Sequence, residues 1–231
     1  MTPLLFDIDG TLLRTTGGVR RAVDHAVSTV TGQSLSTDGV SFSGRTDPHI
    51  FRDVLRASGV PEPDAVLDEV IAAYAEAAPD TIRPAHVEVL PGVRPLLDAL
   101  SNREDVFLGL LTGNVEPVAY HKLRCVGLAG PFSVGAFGSD HGDRTALPAL
   151  AVRRLAARAE RPLSPERAVV IGDTQNDIAC ARAAGSRVVA VCTGRYGRDD
   201  LRPHAPDLLL DDFRAPRACL EQILALPPGA A

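Results

Sequence analysis

Two aspartates separated by a single residue follow the first apolar run of the chain. The run Leu4–Phe6 predicts a short buried strand, and Asp7 and Asp9 come directly after it. Residues two apart on a strand point to the same face, so the two carboxylates are expected to lie side by side. Such close like charges repel each other, and a divalent cation held by oxygen ligands is the usual compensation. Taken alone, a solvated acidic turn remains the alternative.

A second polar group follows another apolar run. Residues 105–111 are mostly apolar, which predicts a strand inside a parallel sheet that is covered on both faces. Thr112, Gly113 and Asn114 come next, and the end of such a strand is where open α/β sheets bind ligands. A threonine hydroxyl with adjacent backbone N–H groups suits phosphate oxygens, and the glycine lets the backbone approach closely.

A third run repeats the layout of the first. Residues 168–171 are apolar, and Asp173 follows them after a glycine. Asp177 is expected in the first turn of the next helix, where the helix dipole favours a carboxylate. The sequence therefore predicts acidic residues at the ends of two different strands.

One arginine stands where a cation is not favoured. Arg144 precedes a predicted helix over 146–159 and would lie in its first turn, against the helix dipole. A local rule broken in this way is a hint of function. Lys122 is the only lysine in the chain, which increases the weight of Arg144 as an anion clamp.

Strands that alternate with helices predict an α/β fold with a Rossmann-like, doubly wound parallel sheet and right-handed crossovers. The ends of neighbouring strands would then meet at one edge of the sheet. That edge would collect Asp7, Asp9, Thr112, Gly113, Asn114, Asp173 and Asp177, with Arg144 close by. The set offers carboxylates and no thiolate or imidazole, so Mg²⁺ is favoured over Zn²⁺.

Residues 19–80 carry helical periodicity and no strand signal, which predicts an all-helical module inserted after the first strand. A loop between its first two helices contains Arg45, Thr46 and Asp47. Arg45 is a candidate contact for a substrate carboxylate or phosphate, with a plain surface charge as the alternative. For Asp47 we favour a helix cap.

Composition narrows the class of protein. The 231 residues are 45% hydrophobic, enough for a real core, and a net charge of −5 gives no reason to expect nucleic acid or an anionic membrane as partner. No apolar run is long enough to span a bilayer, and no signal peptide precedes the first strand, so a cytoplasmic protein is expected. The four cysteines lack metal-site spacing and predict free thiols.

The motifs at Asp7–Thr11, at Thr112 and at Gly172–Asp177 resemble, in order, the first, second and fourth motifs of the haloacid dehalogenase superfamily. The helical insert resembles its C1 cap, and the segment Gly44–Pro48 is similar to the phosphoglycolate phosphatase and β-phosphoglucomutase branch. The resemblance implies a catalytic core over 1–14 and 89–231 and a cap over 15–88, with Gly17–Gly18 and Pro91–Gly92 as candidate hinges. The third motif is usually a lysine, and Arg144 is the best candidate here.

The resemblance also implies a mechanism. Asp7 would be the nucleophile towards a small-molecule phosphate monoester and would form an aspartyl-phosphate, while Asp9 would act as general acid and then general base. Mg²⁺ would be held by Asp7, Asp173 and the backbone carbonyl of Asp9, with Asp177 in a supporting role. Thr112, Gly113, Asn114 and Arg144 would hold the phosphoryl group.

Four other functions share some or all of these features. A dehalogenase has no need of Asp9, and a phosphonatase would need a lysine in the cap, where the sequence has none. A phosphomutase with the same core stays open, as does, more remotely, a non-catalytic interaction module. The physiological substrate is not legible in the sequence.

Overall fold

A computed structural model describes residues 1–42 and 44–229 of the protein. Ser43, in the loop that carries Arg45, and the last two residues of the tail, Ala230 and Ala231, lie outside the described residues. The elements in chain order are β1 (Thr2–Phe6), β2 (Leu13–Thr15), α1 (Val19–Thr31), α2 (Asp47–Ala57), α3 (Pro63–Thr81), β3 (Val87–Val89), α4 (Val93–Ser101), β4 (Val106–Leu111), α5 (Glu116–Cys125), β5 (Gly135–Ala136), α6 (Leu147–Ala159), β6 (Val169–Gly172), α7 (Gln175–Ala183), β7 (Arg187–Val191), α8 (Arg198–Leu201), β8 (Leu208–Leu210) and α9 (Pro216–Leu224).

The core is a six-stranded sheet in the order β5-β4-β1-β6-β7-β8, and every pair of neighbours is parallel. Side chains alternate between its two faces: Leu4 and Phe6 of β1 join one apolar layer, whereas Leu5 joins the other. The sheet reverses its winding at β1, as doubly wound folds do. The predicted α/β fold with a Rossmann-like parallel sheet is confirmed.

The insert is helical, as predicted. Helices α1 and α2 pack on α3, and Phe51 of α2 meets Tyr74 of α3 edge to face with ring centroids 4.9 Å apart. Helix α3 also packs on α5 of the core, so the apolar faces of the insert are not buried only among themselves. This contact holds the insert against the sheet edge that carries the acidic residues.

Two local features differ from expectation. The mostly apolar residues 132–137 predict a short strand, but the strand is limited to Gly135–Ala136, and the N–H of Phe137 donates to Asp140 Oδ2 at 2.9 Å instead of joining the ladder. A small antiparallel hairpin of β2 and β3, which the sequence did not predict, pairs Leu13 with Val89. Three residues a strand are too few for a periodic signal.

Two further expectations concern the chain as a whole. All four cysteines are free thiols, as predicted. Among the described helices, none combines the length and the apolar character that crossing a membrane requires.

Candidate active site

The site lies where three neighbouring strands end. Asp7 follows β1, Thr112 follows β4 and Asp173 follows β6, and the sheet order places these strands side by side. The N–H of Asp7 donates to Ile171 O at 2.9 Å, so the ladder with β6 holds the first carboxylate in place. Parallel strands present their carboxyl ends at the same edge, which is why residues more than 160 positions apart meet here.

Asp7, Asp173 and Asp177 form a buried acidic cluster, and each offers a carboxylate oxygen that lies within 4.8 Å of the others. Burial raises the pKa of Asp7 and of Asp173 above the ordinary value, and for Asp173 the charges of Asp177 and Asp7 add to the effect. A Cβ on Gly194 would lie 1.7 Å from Asp173 Oδ2. Only a glycine therefore fits against this carboxylate.

Asp177 has two contacts besides the cluster. Its Oδ2 accepts from the N–H and the hydroxyl of Thr174 at 3.0 and 2.7 Å, which closes a capping box at the start of α7. Its Oδ1 accepts from Arg144. The predicted place of Asp177, in the first turn of the helix after β6, is confirmed.

Arg144 is the cation of the acidic cluster. Its Nη2 lies 3.3 Å from Asp7 Oδ1 and also contacts Asp177, whereas its buried Nε has no partner among the described residues. Burial disfavours the charge, yet Asp177 and Asp7 more than offset this and raise the pKa of Arg144. Arg144 begins a 3-10 turn that precedes α6 and does not lie in the first turn of the helix itself. The dipole conflict expected from the sequence is correspondingly weaker.

Asp9 belongs to a separate network. Its Oδ2 accepts from Lys122 Nζ at 2.6 Å and from Asn114 Nδ2 at 2.8 Å, and its Oδ1 accepts from the Thr15 hydroxyl at 3.0 Å. Burial alone would raise the pKa of Asp9, but the charge and hydrogen bond of Lys122, with those of Asn114 and Thr15, lower it below the ordinary value. The two aspartates of the first motif thus have opposite electrostatic environments.

Lys122 is a candidate site residue that the sequence analysis did not assign to the site. Only 5% of its side chain is exposed, and its Nζ also donates to Asn114 Oδ1 at 2.6 Å. A signal was present, because Lys122 stands on the face of α5 that buries Val118 and Leu123, where an apolar residue is expected. An isolated lysine in an apolar stripe needs a partner, and Asp9 is that partner.

Thr112 and Asn114 form the polar end of β4. The Thr112 hydroxyl is buried and accepts from Asn114 Nδ2 at 2.9 Å. Gly113 lies against the insert: its carbonyl accepts from the N–H of Asp47 at 2.7 Å, and a Cβ would lie 2.1 Å from Arg45 O. The close approach expected of this glycine is made by the helical insert.

The loop of the insert docks on this edge in a way the sequence did not predict. Asp47 does not cap its own helix, because Thr46 holds the cap position and Asp47 Oδ2 accepts from the N–H of Val115 at 2.8 Å. The capping interpretation of Asp47 is therefore wrong: the carboxylate satisfies a backbone donor at the start of α5, across the interface. Desolvation raises the pKa of Asp47 to about 6, against the charge of Lys122.

The two candidate substrate contacts of the loop are placed differently. Arg45 lines the main cavity, but its Nη2 pairs with Asp53 Oδ2 at 2.7 Å. Thr46 is buried outside the described lining of that cavity and donates to Gly142 O at 2.9 Å. Substrate contact by either residue stays a prediction.

A cavity of about 910 Å³ lies between the strand ends and the insert. Its polar lining includes Asp7, Asp9, Arg14, Thr15, Arg45, Asp47, Thr112, Asn114, Lys122, Arg144, Asp173 and Arg195. Apolar side chains of the insert, among them Ile50 and Tyr74, form the opposite wall. The cavity therefore combines charged groups at the strand ends with a partly apolar wall from the insert.

The chain is similar to proteins of known family in both sequence and fold. A family model described as haloacid dehalogenase-like hydrolase matches residues 4–191. Tyrosine-protein kinase PtkA of Mycobacterium tuberculosis is 34% identical over 201 residues, which are 85% of this chain but only 64% of that relative's length. Phosphoglycolate phosphatase of Agrobacterium fabrum is 26% identical over 238 residues, covering 100% of this chain and 97% of the relative. A crystal structure of a predicted phosphoglycolate phosphatase from Haemophilus somnus shares the fold, with a TM-score of 0.69 and 20% identity; the match covers 95% of this chain and 98% of that chain.

Proposed function

This chain belongs to the haloacid dehalogenase-like hydrolase family, and we propose that it is a Mg²⁺-dependent phosphatase that hydrolyses a small phosphate monoester through an aspartyl-phosphate. The observation that carries the proposal is the separation of Asp7 and Asp9 into different environments. Asp7 lies with other carboxylates and Arg144, whereas Asp9 is held by Lys122, Asn114 and Thr15. A nucleophile and a proton carrier need such a difference.

The acidic cluster fits a hard divalent cation. Asp7 and Asp173 are buried, and burial raises the pKa of both, so the ionised cluster lacks positive charge even with Arg144 present. Carboxylate oxygens are the ligands that Mg²⁺ favours. Asp7, Asp173 and the backbone carbonyl of Asp9 would hold the ion. Asp177, whose oxygens accept from Arg144 and Thr174, would support it from behind. When bound, Mg²⁺ neutralises charge that otherwise repels the incoming phosphate.

The first half of the reaction transfers the phosphoryl group to the protein. A carboxylate oxygen of Asp7 bonds to phosphorus, the ester P–O bond breaks, and Asp9 gives a proton to the leaving alkoxide. Arg144 and the Thr112 hydroxyl hold the phosphoryl oxygens, because positioning and electrostatics supply most of the catalysis in phosphoryl transfer. Arriving phosphate brings negative charge close to Asp9 and so favours the protonated acid despite Lys122.

The second half returns the phosphoryl group to water. Asp9 takes a proton from the water that attacks phosphorus, and the bond between phosphorus and Asp7 breaks. Inorganic phosphate leaves, and both carboxyl groups are restored. Lys122 favours the ionised form of Asp9 that this step requires.

The helical insert would act as the cap, over residues 15–88, with the core formed by 1–14 and 89–231. The loop contacts at Gly113 and Val115 support a role in closing the cavity from solvent. Phosphoglycolate heads the list of substrates because relatives of nearly full coverage carry that name. A cytoplasmic location and a small-molecule partner, without nucleic acid or membrane, belong to the same proposal.

Transfer to a hydroxyl other than that of water is the second candidate. The close docking of the insert favours it, since a phosphomutase must keep water from the aspartyl-phosphate. The 34% identity to a protein named as a tyrosine kinase points to phosphotransfer as well. Product analysis separates the outcomes: free phosphate supports hydrolysis, whereas an isomerised sugar phosphate or a phosphorylated acceptor supports transfer.

Phosphate release from a panel of metabolite esters, with Mg²⁺ or with a chelator, tests the main proposal. We expect release only with Mg²⁺, loss of activity in Asp7→Asn, and a decrease in kcat of about 10²–10⁴-fold in Asp9→Asn. Asp98→Asn, at an exposed position of α4, is the matched control and should keep wild-type activity. If no ester is hydrolysed with Mg²⁺, or if Asp7→Asn stays active, the proposal is wrong. Phosphoryl transfer to another acceptor, which product analysis tests, and a catalytically silent interaction module would then be the remaining interpretations.

A further inference from the structure

Cations outnumber carboxylates in the lining of the main cavity. Five cationic side chains face it, from Arg14, Arg45, Lys122, Arg144 and Arg195, against the carboxylates of Asp7, Asp9, Asp47 and Asp173. The proposed chemistry uses Lys122 and Arg144, and each of these pairs with an aspartate of the site. The other three arginines have no assigned part in the phosphoryl transfer.

Arg45 has a partner within the insert. Its guanidinium pairs with Asp53 and also donates to Ser41 O at 3.2 Å. The hydrogen bond from Arg45 lowers the pKa of Asp53, which favours the carboxylate form that pairs with the guanidinium. A substrate anion would have to compete with Asp53 for this guanidinium.

Arg14 and Arg195, which we call the mouth arginines, have no such partner. Neither lies within 4.0 Å of a carboxylate among the described residues, and both side chains are exposed at the cavity. Glu88 is the direct neighbour of Arg14 across the hairpin of β2 and β3, yet the two form no ion pair. The guanidinium of Arg14 instead donates to Thr193 O at 3.1 Å.

Backbone contacts hold the two arginines in the same part of the cavity. Thr193, which accepts from Arg14, is two residues before Arg195, and its hydroxyl donates to Gly10 O at 2.6 Å. Gly194 lies between them against the carboxylate of Asp173. The mouth arginines therefore flank the acidic cluster on the side of the cavity formed by the core. Two cations that line the same cavity and have no carboxylate partner among the described residues favour an anion there.

We propose that the mouth arginines bind a second anionic group of the substrate, so that the preferred substrate is a phosphate monoester with an additional carboxylate or phosphate. The inference rests on the proposed function, because the first phosphate is assumed to lie at Asp7. Arginine suits the role, since its planar guanidinium forms paired hydrogen bonds with either group and stays charged. Arg45 is less suited to binding the second anion, because its guanidinium is paired with Asp53.

Steady-state kinetics of Arg14→Gln, Arg195→Gln and the double variant test the proposal on substrates that differ in the second anion. Phosphoglycolate and glucose 1,6-bisphosphate carry one, whereas glucose 1-phosphate and para-nitrophenyl phosphate do not. We expect the double variant to raise KM for one or both doubly anionic esters by about 10–50-fold, with kcat for all four substrates within about twofold. KM for the two singly anionic esters should change by less than about threefold. Phosphoglycolate alone affected indicates a carboxylate ligand, and the bisphosphate alone affected indicates a second phosphate.

Binding provides a readout that does not depend on turnover. In an Asp7→Asn background, calorimetric titration should show tighter binding of glucose 1,6-bisphosphate or phosphoglycolate than of glucose 1-phosphate. The advantage should disappear in the triple variant with both arginines changed and should return with Arg14→Lys and Arg195→Lys in their place. Arg217→Gln, an exposed arginine of α9, is the matched charge control and should leave every constant unchanged.

The outcomes separate the two proposals. If the wild-type protein hydrolyses none of the four esters but the doubly anionic ligands still bind more tightly, the phosphatase proposal is wrong and the anion-site proposal is supported. Hydrolysis of para-nitrophenyl phosphate with equal KM effects on all four esters would overturn the anion site alone. The same conclusion follows if the double variant changes neither KM nor affinity for the doubly anionic ligands.

Discussion

Lys122→Met removes the cation that contacts Asp9 and nearly keeps the length of the side chain. In the wild-type protein Lys122 Nζ donates to Asp9 Oδ2 and Asn114 Oδ1, both at 2.6 Å. The variant removes this donor from both oxygens: Asn114 Oδ1 loses Lys122, while Asp9 Oδ2 keeps only the hydrogen bond from Asn114 Nδ2 at 2.8 Å. No other lysine exists in the chain to take its place.

The loss of stability follows from burial on the two sides of the pair. Removing one partner of a fully buried ion pair costs about 3–5 kcal/mol. Lys122 is nearly buried, but 38% of the Asp9 side chain is exposed, so water screens part of the effect and we expect about 1–3 kcal/mol. Because folding lowers the pKa of Asp9, the ion pair stabilises the folded protein at pH values above the ordinary pKa of 3.8. This contribution is lost as the pH falls through the lowered pKa, so the difference between the proteins should narrow in acid.

The same variant should also lower kcat. Without Lys122 the pKa of Asp9 rises, so the acidic limb of the kcat profile moves to higher pH, and the decrease in kcat at pH 7 is bounded by the roughly 10²–10⁴-fold worth of general acid–base catalysis. Lys122→Arg keeps the charge and should retain the wild-type limb. Urea denaturation at several pH values and a pH profile of phosphate release measure both effects. Wild-type kcat with an unmoved limb in Lys122→Met would refute the assignment of Lys122 to Asp9.

Three further predictions concern the proposed metal site, the docking of the helical insert and the acidic cluster. Burial raises the pKa of Asp7 and Asp173, so the metal-free protein should lose stability as the pH rises above 3.8 towards the raised values. Calorimetry should therefore find that Mg²⁺ raises Tm more at pH 8 than at pH 5. Equal increases in Tm at the two pH values would contradict the metal site. Gly113→Ala places a Cβ 2.1 Å from Arg45 O and should lower kcat/KM at least about tenfold, whereas Gly130→Ala, with no atom within 4 Å of its Cβ, should behave as wild type in the same assay. Arg144→Met leaves buried carboxylates unpaired and should lower the free energy of unfolding, measured in urea, by about 3–5 kcal/mol. Arg144→Lys should recover much of that stability but not the full kcat. Wild-type stability in Arg144→Met would rule out the ion pair.

The sequence was sufficient for the parts of the fold that depend on long, regular patterns. The helical stripes of α1 to α3 and the apolar runs of β1, β4 and β6 carry period and length, so their type and order could be predicted. The sequence overestimated the length of β5, which has two residues, and did not indicate the hairpin of β2 and β3, which has three residues in each strand. Such elements form because a neighbouring strand supplies hydrogen bonds, and neighbours are not visible in a linear sequence.

The same division holds within the site. Spacing alone indicated that Asp7 and Asp9 share a strand end and that Asp173 ends another strand, because these relations are local or follow from parallel winding. The partners of Asp9 and Asp47 are not local. Lys122 reaches Asp9 from a helix 113 positions away, and Asp47 meets Val115 across the interface of insert and core.

The sequence by itself determined which acidic groups are present, which strands they follow and that a helical module interrupts the sheet. Only the tertiary structure decided how charge is distributed among them: Arg144 with Asp7 and Asp177, Lys122 with Asp9. The physical reason is that ion pairing depends on distance and burial, which arise when separate elements pack together. Asp7 and Asp9 have the same chemistry in the sequence. Packing gives them different partners, which makes Asp7 the candidate nucleophile and Asp9 the candidate proton carrier.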